Sequence, residues 1–106
     1  MITAGTLRFD ARTGAIGGTG TSAIDVAVTD LEVDTQGDSN AYIDSASGYN
    51  IVSASSVGAG TLSLAAGGSI MDAAAITAGT LVIDAASQAV TLDAGHAVTN
   101  LSLIHI

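Results

Sequence analysis

The sequence predicts an all-β chain built as a solenoid of about four stacked rungs. Three observations predict it. The hexapeptide ITAGTL stands at residues 2–7 and again at 76–81, with a related VGAGTL at 57–62. Each copy runs into an apolar–x–apolar triplet followed by a small or acidic residue. Between the apolar runs lie clusters of Gly, Ser, Asn, Thr and Asp, and the chain has no Pro.

The elements follow in chain order. Strict alternation marks strands, not helices. LRFDA from Leu7, LEVDT from Leu31, LSLAA from Leu62 and LVIDA from Leu81 are the four repeat starts. AIDVAV from Ala23, AYID from Ala41, NIVSAS from Asn50 and AVTLDA from Ala89 alternate in the same way. This gives roughly ten short strands. RTGAIGGTGTS, TQGDSN, SASGY and AAGGS read as turns, where Gly supplies positive φ and Asn or Asp bonds its own backbone. DAAAI from Asp72 has helix-forming alanines but is too short to stand alone.

A single turn of short strands cannot bury its apolar side, so equivalent turns must stack. Aligning the four starts predicts one inward ladder of Leu7, Leu31, Leu62 and Leu81, with Phe9, Val33, Leu64 and Ile83 beside it. Arg8 and Glu32 then share an outward slot, and Asp10, Asp34 and Asp84 another, with Ala65 taking that place in the third repeat. The uneven spacing of the starts predicts an insertion around residues 37–49.

Composition removes several functions. At 106 residues the chain holds one domain at most. Its ten acids face only Arg8 and Arg12, a net charge of −8. Nucleic acid needs a cationic track, so that partner is rejected. The same balance argues against anionic membrane surfaces. The uncharged stretch 45–71 carries Ser, Gly, Asn50 and Tyr49 and has no run of about 18 apolar residues, so membrane insertion is rejected too. Without Cys there is no disulfide framework and no thiolate metal site.

No catalytic residues are assigned, and the chain is read as a non-enzyme. Glycoside hydrolysis needs two carboxylates facing across a cleft, whereas repeats align acids automatically. GxSxG and Cys nucleophiles are missing. The Gly-rich stretch 14–22 leads into a strand, so it lacks the helix N-terminus of a phosphate cradle. Asp34, Asp38 and Asn40 in DTQGDSN are candidate Ca²⁺ ligands, since hard oxygen donors meet in one turn. The spacing is not that of an EF-hand, and a solvated polar turn is the preferred reading. Asp93 with His96 offers too few ligands for a metal. Tyr42 and Tyr49 flank SNAYIDSASGY, either as exposed binding aromatics or as the rim of a small core. No cofactor is expected.

The cadence ITAGTLRFDARTGAIGGTGT, AIDVAVTDLEVDTQGDSNAYIDSASGYNIVSA and VGAGTLSLAAGGSI resembles the filamentous haemagglutinin-like large exoproteins, bacterial surface adhesins of the two-partner secretion kind, and related autotransporter passengers. The resemblance runs over about residues 2–101. It implies a right-handed parallel β-helix, secretion and display at the cell surface. It marks the shaft of a fibre and carries over no functional residues. The partners it implies are neighbouring rungs of a longer parent chain, with receptors for host cells or surfaces elsewhere in that parent.

The last six residues, LSLIHI, match one reading frame of the transposase mosaic-end DNA used in sequencing libraries. Residues 1–100 are therefore read as a β-helix repeat fragment and 101–106 as an adapter-derived tail. The expected function is that of a structural shaft segment of a secreted adhesin. A Ca²⁺-stabilised surface or biofilm repeat domain is the alternative, and a polysaccharide-active β-helix enzyme ranks third.

Overall fold

A computed structural model describes residues 2–11, 14–18, 23–35, 38–51, 55–85, 90–91 and 97–104. Ten strands are present: β1 (Ile2–Ala11), β2 (Ile24–Thr35), β3 (Ala41–Ser45), β4 (Tyr49–Ile51), β5 (Ser55–Ser56), β6 (Thr61–Ala66), β7 (Ile70–Asp72), β8 (Ile76–Asp84), β9 (Val90–Thr91) and β10 (Ala97–Ile104). Among the described residues there is no helix, and DAAAI divides between the end of β7, a bend and the start of β8. All ten strands belong to one sheet, and every pairing is parallel. The chain is a parallel β-solenoid of about four turns.

Strand β2 shows how one rung is divided. Its start pairs with β3, its middle with β4 and its end with β5. The rung therefore has three sides, and later strands stack on each of them. The first side carries β3, β6, the second half of β8 and the second half of β10. The second carries β4, β7 and β9. The third carries β5 and the starts of β8 and β10.

Inward residues make the core. In β6 the alternation of Thr61–Ala66 buries Leu62, Leu64 and Ala66 and leaves Thr61, Ser63 and Ala65 half-buried on the outside. Val26, Leu31, Val33, Ile51, Leu62, Leu64, Ile70, Ile76 and Ile83 have no exposed surface. With only one Phe and two Tyr in the chain, Ala, Val, Leu and Ile fill this narrow interior, and Tyr49 is the single aromatic in the buried cluster. Full burial of such aliphatic side chains contributes about 1.5–3 kcal/mol each.

Two expectations need correction. The inward ladder is two ladders. Leu7 stacks on Leu31 and Phe9 on Val33, as expected. Leu62 stacks on Leu81 and Leu64 on Ile83, also as expected. But Leu31 is followed by Ile51 on the second side, whereas Leu62 is preceded by Ala41 on the first. The repeat starts at Leu31 and Leu62 are more than one turn apart, so equal sequence does not mean equal side. The expected insertion is also misplaced. Residues 41–45 form β3, a regular part of its rung. The longest interval is in the first rung, where Leu7 and Leu31 stack 24 residues apart against 19 for Leu62 and Leu81. The extra residues fall between β1 and β2, where Gly14 and Gly17 have positive φ and Ile16 makes a lone bridge to Ala41.

The glycine of the repeated motif has a packing cause. A Cβ on Gly60 would strike the Ser39 carbonyl oxygen, and one on Gly79 the Ala59 carbonyl oxygen. Both oxygens belong to the preceding rung. The motif's Gly lets successive corners approach to backbone contact, which any side chain would prevent.

Candidate functional site

The candidate ligands in 34–40 sit on the outer turn that leads from β2 to β3. Asp38 Oδ1 accepts a hydrogen bond from the Ala59 N–H at 2.9 Å. Asn40 Oδ1 accepts one from the Thr61 N–H at 2.8 Å. Both donors lie in the next rung, so these side chains tie one turn to the one stacked on it. The Thr35 hydroxyl closes the turn by donating to the Ser39 carbonyl at 3.4 Å. Asp34 lies apart, on the outer face of β2, in register with Asp10 on one side and Ser56 on the other. Two of the three candidates thus already have an oxygen serving a backbone donor. Among the described residues no group of three or more His, Asp or Glu has metal-site geometry. Asp93 and His96 lie outside the described residues.

The outward acids form columns, though not the expected one. Asp10 stacks on Asp34 as predicted. Ala65 does not follow Asp34. Its column is Asp25, Asp44, Ala65 and Asp84. The Asp25–Asp44 neighbours were missed. Their signal was the dipeptide Ile-Asp, which recurs at 24–25, 43–44 and 83–84, with the Ile residues inward and the Asp residues outward. Stacked strands lie about 4.8 Å apart, so neighbouring carboxylates in a column repel by roughly 1 kcal/mol through water. Asp25 and Asp44 stand side by side on adjacent strands, and both line the smaller of two open grooves.

Arg8 and Glu32 are neighbours in register, as expected, and their side chains form an ion pair. Asp10 lies 3.7 Å from the same guanidinium. The Thr6 hydroxyl donates to Asp30 at 3.4 Å, another contact from rung to rung. Shallow grooves of about 240 and 270 Å³ flank Asp44, the larger one also bounded by Tyr42 and Ser63. Each is partly open to solvent.

The two tyrosines separate. Tyr42 is half-buried on the outside beside the larger groove. Tyr49 points inward, 4% exposed, and its hydroxyl has no hydrogen-bond partner among the described residues. Burial pushes the Tyr49 hydroxyl far above its ordinary pKa, and the Asp44 carboxylate adds to the shift. It stays protonated throughout the range in which proteins work. The core-rim reading of Tyr49 gives way to a full core position, and the sequence signal is its place in the inward phase of YNI.

Strand β10 extends through Leu101–Ile104, paired in register with β8 from Leu81 to Asp84. No protein-family model, curated protein or solved structure matches the chain.

Proposed function

We propose that the chain is a shaft segment of a secreted bacterial surface adhesin or exoprotein. The observation that supports this reading best is the rung-to-rung bonding on the outer surface. Asp38, Asn40, Thr6 and Arg8 each make a polar contact to the adjacent rung. Side chains committed in this way stiffen a stack along its axis and are not aimed at a small ligand. The cadence shared with filamentous haemagglutinin-like exoproteins supports the adhesin context. In this role the segment works mechanically, holding adhesive regions away from the cell.

Antibodies raised against the chain test the reading on cells of its source. The expected result is labelling of intact cells, lost after mild protease treatment of their surface. Labelling that appears only after the cells are permeabilised would overturn it. The Ca²⁺-stabilised alternative gains no support from the turn, where two of the three candidate ligands already accept backbone hydrogen bonds.

A further inference from the structure

We infer that the outer face of β3 docks an arginine side chain of a partner protein, its guanidinium shared between Asp25 and Asp44 and its stem lying against Tyr42. The chain itself shows how a guanidinium serves two rungs. In the first column of acids, Asp10 and Asp34 stand in register, with Arg8 and Glu32 beside them. Arg8 turns its Nε to Glu32 of β2 and its Nη2 to Asp10 of β1, the latter at 3.7 Å. A planar fork with five donors can meet carboxylates of neighbouring strands at once.

The second column has the acids without the arginine. Asp25 of β2 and Asp44 of β3 are in register and exposed, about one strand spacing of 4.8 Å apart. Neither has an ion-pair or hydrogen-bond partner among the described residues. Arg8 is committed to the first column, and Arg12 lies outside the described residues.

The surface around Asp44 is shaped for one side chain. The smaller groove, of about 240 Å³, runs between Asp25 and Asp44 with Val26 and Ala46 in its walls. The larger, of about 270 Å³, passes Asp44 to Tyr42, Ile43, Ser63 and Ala65. Both fall below the range of about 300–1,000 Å³ usual for sites that enclose a whole small molecule. Tyr42 and Asp44 are two residues apart on β3 and share its outward phase. An arginine stem can lie along the apolar wall while its head reaches the acids. Its guanidinium also stacks on aromatic faces and sheds water more readily than an ammonium, so arginine suits this surface better than lysine. The net charge of −8 draws a basic partner and turns away an anionic one. The docking surface rests on the registers and grooves and is independent of the shaft reading.

Nuclear magnetic resonance titration of the 106-residue chain at low salt tests it, with acetyl-Ala-Arg-Ala-amide as the probe and acetyl-Ala-Lys-Ala-amide beside it. The arginine peptide is expected to give saturable shifts of the Tyr42, Asp44 and Ser63 amides. The lysine peptide, of equal charge, should bind several-fold more weakly. Asp25→Asn and Asp44→Asn should each weaken the arginine peptide by about tenfold, the loss of a charge-assisted hydrogen bond. Tyr42→Ala should weaken it several-fold, and Tyr42→Phe should retain it, because stacking needs the ring and not the hydroxyl. Asp34→Asn removes the same charge from the first column and should leave binding unchanged. Circular dichroism of each variant confirms the fold. The proposal is overturned if the arginine peptide gives no saturable shifts, or if the lysine peptide binds equally well. It is also overturned if Asp34→Asn weakens binding as much as Asp44→Asn, since net charge alone would then explain the attraction. Binding that tightens tenfold in Arg12→Ala would assign the grooves to this chain's own arginine, and self-association abolished by Arg8→Ala would assign them to a second copy. Either result would remove the partner protein.

Discussion

Asp38 and Asn40 show how a residue type that suggests a metal can serve the backbone instead. Each accepts one N–H from the next rung, and a hydrogen bond of this kind contributes about 0.5–1.5 kcal/mol net. Asp38→Ala and Asn40→Ala are each expected to lower stability by about that amount, measured by urea unfolding. Added calcium should leave the melting temperature of the wild type unchanged. A saturable rise with calcium that Asp38→Asn abolishes would restore the metal reading. Tyr49 is the opposite case, a polar atom in the core without a described partner. Leaving such a group unsatisfied costs about 1–3 kcal/mol, so Tyr49→Phe should stabilise the fold by up to about that much. The pH dependence has a definite sign. The folded pKa of Tyr49 is raised and the unfolded one lies near 10. Above pH of about 10 the unfolded chain releases a proton that the folded chain retains, so Tyr49's contribution is full below that pH and is lost above it. Denaturation curves between about pH 9 and 11 should show the wild type losing stability faster than Tyr49→Phe. Parallel slopes would contradict the buried, protonated assignment.

Among the elements, the motif's glycine and leucine divide the work of stacking. Gly60→Ala and Gly79→Ala press a methyl group into a backbone oxygen of the preceding rung, whereas Gly5→Ala presses on nothing. The first two should destabilise by about 1–3 kcal/mol, as overpacking does, and the third should be close to neutral. Equal effects at all three sites would mean that conformational freedom, not close approach, explains the glycines. Leu62 is fully buried, so Leu62→Ala should cost about 2–5 kcal/mol in the same unfolding measurements. The sequence made these strands legible because inward and outward residues alternate with period two. It also disclosed the Leu7–Leu31 and Leu62–Leu81 pairs, where short apolar triplets repeat about one turn apart. Joining those pairs failed for a physical reason. A three-sided rung offers several equivalent sites for the same triplet, and nothing local in LEVDT or LSLAA says which side it occupies. Ile51 and Ala41 fill the intervening places without the triplet's signature. On the outer face, the Asp10–Asp34 and Arg8–Glu32 neighbours were legible from that same alignment. Asp25–Asp44 was hidden because Asp25 lies in the longer β2, outside its repeat start.

The whole molecule carries its acids in rows along the axis. Net charge is −8, and the register puts Asp10 beside Asp34 and Asp25 beside Asp44. Folding brings these carboxylates to about one strand spacing, while the unfolded chain holds them tens of residues apart. Self-repulsion therefore opposes the compact state more than the extended one. The Arg8–Glu32 pair acts against this trend, but as a partly exposed ion pair it contributes only about 0–1 kcal/mol. Salt screens both effects, and the Debye length falls from about 30 Å at 0.01 M to about 10 Å at 0.1 M and about 3 Å at 1 M. Repulsion spread over two columns and a large net charge exceeds the exposed attractions that Arg8 makes to Glu32 and Asp10. The melting temperature should thus rise as sodium chloride increases from low millimolar to about 0.5 M, with most of the gain once the Debye length approaches the strand spacing. Asp25→Asn should be more stable than the wild type at low salt, by up to about 1 kcal/mol, and the difference should shrink as salt is added. Arg8→Ala should show the steeper salt dependence of the two, since it removes an attraction and leaves more charge to be screened. A melting temperature that falls with salt would show that ion pairing outweighs the acid rows. The outer columns would then be a source of stability and not the tension that the rung-to-rung hydrogen bonds offset.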